Sequence, residues 1–155
     1  MKPVLDPVFY VDEDLDSNDF VNPLLEVGFK IERHRDNFPP GATDDTWIPE
    51  VARRGWYAFS HDFNIVRTKT QTKMVLNCEL GLFIVRGKTK EKAHHIMGEN
   101  VAKTKLAIDQ FVKKNFRPFI ASVRNPDKKS GKGTVVGLRP IGREWGKGKM
   151  LRQRR

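Results

Sequence analysis

Near its start the chain reads Val8-Phe9-Tyr10-Val11, a short apolar run, followed directly by Asp12-Glu13-Asp14. A run of this length and composition predicts a buried β-strand. The pattern recurs at Trp56-Tyr57-Ala58-Phe59-Ser60, which is followed by His61-Asp62. Two such strands, each ending in acidic residues, predict an α/β fold with its chemistry at the strand ends.

The rest of the chain, up to about residue 125, alternates between strand and helix patterns. Further strands are predicted at 29–32, 82–85 and 119–123, and helices at 18–27, 70–79 and 89–115. One more helix is predicted to begin after Thr43 or Asp44 and to end at Gly55. This order predicts a mainly parallel five-stranded sheet with right-handed crossovers and helices on both faces. The residues predicted to be buried in the long helix are Ala93, Ile96, Met97, Val101, Leu106, Ile108, Phe111 and Val112.

Length and charge divide the chain into a domain and a tail. The 155 residues suit one domain with a sizeable core. The net charge of +10 divides into −8 for residues 1–50, +10 for 51–125 and +8 for 126–155. We therefore predict one domain at 1–125 and a basic, flexible tail at 126–155, where only Val135-Val136-Gly137-Leu138 and Trp145 have the apolar character to dock locally.

Cysteine content and hydropathy bear on the compartment. The single cysteine, Cys78, excludes an internal disulfide framework and favours a reducing cytoplasm. The sequence has no leader peptide pattern and no apolar run near 18 residues, so we expect a cytoplasmic protein without a membrane segment.

Three aspartates are expected to meet at one edge of the predicted sheet. Asp12 and Asp62 follow strands, and Asp44 lies at a helix start. Their carboxylates would repel one another, and a bound divalent cation would offset that repulsion. Mg²⁺ or Mn²⁺ in such a site can orient a phosphate and help to deprotonate an attacking water, so the pattern favours metal-dependent hydrolysis. Each residue also has a structural interpretation: Asp12 or Asp44 as a helix cap, and Asp62 as a turn residue.

Longer motifs in the same regions give a resemblance. They are Phe9-Tyr10-Val11-Asp12-Glu13-Asp14-Leu15, Asp44-Asp45-Thr46-Trp47-Ile48-Pro49-Glu50, Ser60-His61-Asp62-Phe63-Asn64-Ile65 and Pro118-Phe119-Ile120-Ala121-Ser122-Val123. Over about residues 7–125 the chain resembles the PIN-like superfamily, and within it the VapC-type toxin branch. The resemblance implies a metal-dependent ribonuclease, often a toxin held inactive by an antitoxin protein, and a homodimer is common in the family.

The resemblance also implies roles for individual residues. Asp12, Asp44 and Asp62 match the catalytic, metal-binding acids, with Mg²⁺ or Mn²⁺ as cofactor. A fourth acid would be Asp14, Glu13 or Asp45.

Basic and aromatic residues near these acids are candidates for contacts with RNA. They are His61, Arg67 and Lys69 in the domain, and Arg143, Trp145 and Lys147 in the tail. His61 has a structural interpretation as well, and the tail would equally suit an acidic partner such as an antitoxin.

We therefore expect a metal-dependent endoribonuclease, in which a metal-activated water hydrolyses RNA. The alternative is a non-catalytic RNA-binding module on the same fold. A receiver-like phosphoacceptor domain fits less well, because its last strand would end in a lysine, and here that strand ends in Arg124.

Overall fold

A six-stranded sheet forms the centre of the protein. The computed structural model describes residues 6–61, 68–86 and 91–138. The strand order is β2-β1-β3-β4-β5-β6. The strands are Val8–Val11 (β1), Lys30–Arg33 (β2), Tyr57–Ser60 (β3), Gly81–Val85 (β4), Phe119–Arg124 (β5) and Thr134–Gly137 (β6). The first five pair in parallel and β6 pairs antiparallel with β5, so the mainly parallel α/β sheet is confirmed.

The predicted strand count of five is wrong by one. The additional strand, β6, is a short stretch within polar and glycine-rich sequence, and it is ordered by pairing with β5. Val135 and Leu138 also pack against the core, in agreement with the local docking predicted for residues 135–138. The division into a domain at 1–125 and a tail at 126–155 stays a prediction, and residues 139–155 lie outside the described ranges.

Six α-helices connect the described strands. They are Asn18–Glu26 (α1), His34–Asn37 (α2), Asp44–Arg53 (α3), Lys69–Asn77 (α4), Glu91–Lys103 (α5) and Lys105–Lys114 (α6). Ser17 begins α1, because its hydroxyl oxygen accepts the backbone N–H of Phe20 at 3.2 Å. In the ranges described, none of the helices is long and apolar enough to span a bilayer.

The long helix predicted at 89–115 is two helices that meet at Thr104. The Thr104 hydroxyl donates to the carbonyl of Asn100 at 2.7 Å, which competes with the helical backbone pattern. Gly133, just before β6, packs against the Thr104 side chain. Two residues predicted to be buried in the long helix are exposed: Ile96 is 58% and Leu106 is 67% accessible.

Aromatic side chains fill the core on one face of the sheet. Rings of Phe9, Phe29, Phe59, Phe83 and Phe119 contact one another at centroid separations of 5.1–6.0 Å. Tyr10 points to the opposite face, where its ring lies 5.1 Å from that of Trp47 in α3. Each strand of the centre therefore buries both faces, as a parallel sheet between helices requires.

The β1–β2 and β4–β5 connections cannot both be right-handed, although the sequence predicts right-handed crossovers throughout. Phe20 of α1 contacts Phe59, and Phe111 of α6 contacts Phe83. Because Phe59 and Phe83 are register partners, α1 and α6 cover the same face. The connections that contain them step in opposite directions across the sheet, so the two connections have opposite hands. The β4–β5 connection contains two helices, and this extra length lets the chain return over that face.

Close packing of α1 on α5 gives a test of the fold. A Cβ atom at Gly98 of α5 would lie 2.5 Å from the carbonyl oxygen of Phe20. We expect Gly98→Ala to lower the free energy of unfolding by about 1–3 kcal/mol, because the backbones must separate. Urea denaturation measures the change, with Glu99→Ala at the exposed neighbouring position as the control. An equal or higher stability for Gly98→Ala would contradict this packing.

Candidate active site

The ends of β1 and β3 meet at the point where the strand order reverses. From β1 the chain passes to β2 on one side and then to β3 on the other. Asp12 follows β1 directly, and its backbone N–H donates to the carbonyl of Phe59 in β3 at 3.0 Å. Open α/β sheets bind their ligands at such a position, outside the carboxyl ends of the strands.

The Asp12 carboxylate is buried and held from two sides. Its residue is 7% exposed. Ser60, the last residue of β3, donates its hydroxyl to Oδ2 at 2.9 Å, and the backbone N–H of Glu13 donates to Oδ1 at 2.6 Å. These bonds fix the carboxylate at the carboxyl edge of the sheet, by which we mean the side on which the parallel strands end.

Burial changes the acidity of Asp12. Desolvation raises the pKa of this carboxyl from 3.8 to about 7, and the negative charges of Asp14 and Asp44 add to the rise. The hydrogen bonds from Ser60 and from the Glu13 backbone act in the opposite direction and limit it. In the described residues, no lysine or arginine forms an ion pair with Asp12.

Asp44 is positioned by the first turn of α3. Its Oδ1 accepts the indole N–H of Trp47 at 3.0 Å, and its Oδ2 accepts the side-chain amide of Gln71 at 2.6 Å. Thr43 occupies the N-cap position of α3, so Asp44 is not the cap. The negative charge of Asp44 contributes to the raised pKa of Asp12, so the two carboxylates lie within electrostatic reach of each other.

A family comparison now bears on this geometry. A family model described as a PIN like domain matches residues 7–87, a little more than half of the chain. The chain belongs to the PIN-like domain family. The match spans β1 to β4 and includes Asp12, Asp44 and Asp62. Searches of curated proteins and of solved structures gave no significant match.

Membership gives the general activity. PIN-like domains are generally nucleases, and nucleases of this family typically use divalent metals. In this PIN-like domain, residues 6–61, 68–86 and 91–138 contain no group of three His, Cys, Asp or Glu side chains arranged to hold a metal ion. The predicted set of three includes Asp62, which lies outside those ranges, so its role as a ligand stays a prediction.

The three candidates for a fourth acid differ in their surroundings. Both carboxylate oxygens of Glu13 accept the backbone N–H of Gly41, at 3.0 and 3.1 Å. Asp45 accepts the hydroxyl of Thr43. Asp14 is exposed, and the described residues show no hydrogen-bond donor to its carboxylate. Of the three, Asp14 is the one whose charge acts on Asp12, which makes it the best placed.

The predicted RNA-contacting residues are placed in part. The ring Nδ1–H of His61 donates to the carbonyl of Val85 at 2.9 Å and links the ends of β3 and β4. Lys69 is exposed at the start of α4. The other four, Arg67, Arg143, Trp145 and Lys147, lie outside the described residues, and the role of all six in binding nucleic acid stays a prediction.

Sequence reasoning missed two side chains that orient the acids. The sequence does carry a signal for Ser60, which directly precedes His61-Asp62. Side chains alternate along a strand, so Ser60 points to the same face as Ala58, and Ala58 lies opposite Tyr10 in the register. Gln71 carries no local signal, because only the packing of α4 against α3 brings it to Asp44.

The raised pKa of Asp12 predicts a pH-dependent stability in EDTA. In the unfolded chain this carboxyl ionises near pH 4, and in the folded protein near pH 7. The stability from keeping it neutral is therefore present below pH 4 and is lost as the pH rises through 7. Relative to Asp12→Asn, the wild-type protein should lose up to about 4 kcal/mol between pH 4 and 8.

Thermal melts at several pH values measure this loss. The Asp36→Asn variant is the control, because Asp36 is exposed in α2 and its charge is not among the causes of the Asp12 pKa shift, so it should follow the wild-type curve closely. A difference between Asp12→Asn and wild type that is constant with pH would contradict the buried, uncompensated carboxyl.

Proposed function

We propose that this PIN-like domain is a metal-dependent endoribonuclease that hydrolyses phosphodiester bonds in RNA with Mg²⁺ or Mn²⁺. The observation that supports it is the buried Asp12 carboxylate beside the charge of Asp44, without an ion-pair partner among the described residues. Burying an ionised carboxylate without a counter-charge is costly. A divalent cation at the carboxyl edge would remove that cost.

The oxygen donors present suit a hard divalent cation. Carboxylates are ligands that Mg²⁺ accepts, and it needs only a few from the protein. Asp12, Asp44 and Asp62 would hold it, with Asp14 as the best placed fourth acid. When bound, the cation supplies charge neutralisation for the phosphate and acidifies water.

The surrounding residues set the orientation of these ligands. Ser60 and the Glu13 backbone N–H hold the Asp12 carboxylate, while Trp47 and Gln71 hold that of Asp44. Each donor leaves its carboxylate oxygen a second lone pair for a ligand. Both carboxylates therefore enter the reaction already positioned, which lowers the cost of organising the site.

The biological setting is part of the same proposal. The net charge of +10 suits a polyanionic substrate. We place the protein in the VapC-type branch, as the toxin of a toxin–antitoxin pair in the cytoplasm, forming a homodimer and bound by an antitoxin protein. These statements rest on the motif resemblance over residues 7–125, and pull-down with a co-expressed neighbouring gene product would test the antitoxin.

Cleavage of RNA tests the activity itself. Asp44→Asn and Asp62→Asn should each reduce Mn²⁺-dependent cleavage of a mixed RNA pool by at least about 100-fold, because they remove ligand charge at the site. EDTA should abolish cleavage by the wild-type protein. Asp36→Asn, an exposed acid in α2, is the matched control and should retain activity.

Two outcomes would overturn this assignment. Full activity of Asp62→Asn with an unchanged thermal melt would remove Asp62 from the site. RNA binding without cleavage by the wild-type protein, in Mn²⁺ and in EDTA alike, would favour the non-catalytic RNA-binding module.

Ser60 gives a separate test of how Asp12 is oriented. Its hydroxyl lowers the pKa of the Asp12 carboxyl, so Ser60→Ala should leave Asp12 more protonated at pH 7. We expect Mn²⁺ affinity at pH 7 to fall by about 10-fold, and part of the loss to be recovered at pH 9, where Asp12 is ionised in both proteins.

Calorimetric titration with Mn²⁺ measures the affinity. Ser122→Ala is the matched control, because Ser122 is equally buried on the same sheet but its hydroxyl accepts from Arg86 instead. An equal loss in both variants would show a general effect of the missing hydroxyl and not the orientation of Asp12.

A further inference from the structure

Two arginines lie side by side at the carboxyl edge of the sheet. Arg86 follows β4 directly, and Arg124 is the last residue of β5. Val85 and Val123 are register partners, so the two arginines follow them in step on adjacent strands. Adjacent parallel strands are about 4.8 Å apart.

The arginines share the sheet face that carries the acidic site. In the strand register, Ser60 lies opposite Ile84, and Ile84 opposite Ser122. Side chains alternate along a strand, so Arg86 and Arg124 point to the face of Ile84 and Ser122. Ser60 of that same row binds Asp12, and the arginines are two residues nearer the edge.

Ser122 fixes the position of Arg86. The Ser122 side chain is fully buried in β5, and its Oγ accepts the Nε–H of Arg86 at 3.0 Å. A buried hydroxyl without a partner would be costly, so this bond is maintained in the folded protein. It holds the base of the guanidinium over β5, next to Arg124.

Strand β6 fixes the position of Arg124. Arg124 is paired with Thr134 in the antiparallel ladder, which extends β5 to the edge of the sheet. Its side chain is exposed, and no described acid forms an ion pair with it. Guanidinium groups suit phosphate oxygens, because they can donate two parallel hydrogen bonds to them.

Positive charge continues in the turn after Arg124. Lys128, Lys129 and Lys132 are exposed there. The turn contains one acid, Asp127. Its carboxylate accepts the backbone N–H of Lys129 at 3.0 Å and so stabilises the turn. Among the described residues, the acidic site therefore lies after β1 and at the start of α3, and the cations lie after β4, at the end of β5 and in the turn beyond it.

We propose that Arg86 and Arg124 form a phosphate-binding site for single-stranded RNA, with Ser122 as the residue that positions Arg86. The RNA backbone would cross the sheet edge from the acids over β4 to β5. The inference rests on the proposed ribonuclease function for its substrate. RNA is favoured over an acidic protein because the pair shares one sheet face and edge with the acids that would act on a phosphodiester.

RNA binding in EDTA tests this site without cleavage. Fluorescence anisotropy of a labelled, unstructured single-stranded RNA is measured for each variant over a range of salt concentrations. Each phosphate contact on a single strand contributes about 0.7 to the slope of log affinity against log salt. Arg86→Gln and Arg124→Gln should therefore each lower the slope by about 0.7 and the affinity by about 5-fold at 0.1 M salt.

Three further variants separate charge from position. Arg53→Gln removes an exposed arginine at the end of α3 and should bind as the wild type does. Arg86→Lys keeps the charge but loses the Nε donor, so its slope should stay the same while its affinity falls. Ser122→Ala should behave like Arg86→Lys, and it should have no further effect in the Arg86→Gln background.

The outcomes distinguish this site from the nuclease activity. Wild-type protein that binds RNA through both arginines but does not cleave it would support the site and remove the proposed nuclease. Cleavage by the wild type, with equal RNA binding by Arg86→Gln/Arg124→Gln, would overturn the site and keep the nuclease. Loss of binding to polyglutamate in that double variant, with RNA binding unchanged, would assign the pair to an acidic protein and also overturn the proposal.

Discussion

The hydrogen bond between Ser60 and Asp12 joins the two strands on which the site depends. It closes the carboxyl edge between β1 and β3, where the order of the sheet reverses. The backbone bond from Asp12 to Phe59 continues the parallel ladder by one residue and carries the carboxylate into a buried position. Burial then raises the pKa of Asp12, because the charged form loses its hydration. The pairing of β1 with β3 therefore determines both the position of the Asp12 carboxylate and its raised pKa.

A second buried acid shows what structural compensation looks like in this protein. Asp16 has a side chain only 4% exposed, and Arg33 donates to its carboxylate at 2.6 Å, with Arg35 donating from its backbone at 2.9 Å. Asp12 is similarly buried, yet among the described residues it receives hydrogen bonds from a hydroxyl and a backbone N–H, and from no arginine or lysine. Arginines therefore compensate the charge of Asp16, whereas Asp12, which also caps the short 3-10 helix Glu13–Leu15, has no ion-pair partner in the described part of the chain. This difference between Asp16 and Asp12 supports a bound cation at Asp12 more strongly than the number of nearby acidic residues does.

Local sequence patterns predicted most of the strands and helices. They did not predict contacts between residues that are distant in the sequence. Apolar runs followed by acids located β1 and β3, and the start of α3 followed from the residues around Thr43. The break of the long helix at Thr104 has no signal in the local pattern, because the contact of Thr104 with Gly133 joins residues far apart in the chain. The bond between Arg86 and Ser122 joins residues 36 positions apart, and only the pairing of β4 with β5 makes them neighbours. The membership of residues 7–87 in the PIN-like family confirms the resemblance at the level of the superfamily.

The separation of charge along the carboxyl edge explains how a strongly basic protein keeps an acidic site. Asp12 and Ser122 are three strands apart in the row, or about 14 Å at the spacing of a parallel sheet. At that distance solvent and salt weaken the attraction between exposed charges, since the Debye length is about 8 Å at physiological ionic strength. The Nε of Arg86 donates to Ser122 at the far end of this row. This nitrogen is therefore not available to Asp12. A flexible polyanion can span the same distance, with one phosphate at the cations and another at the acids. In the proposed nuclease, this arrangement would let the positive charge bind the RNA while the carboxylates remain available for a metal ion.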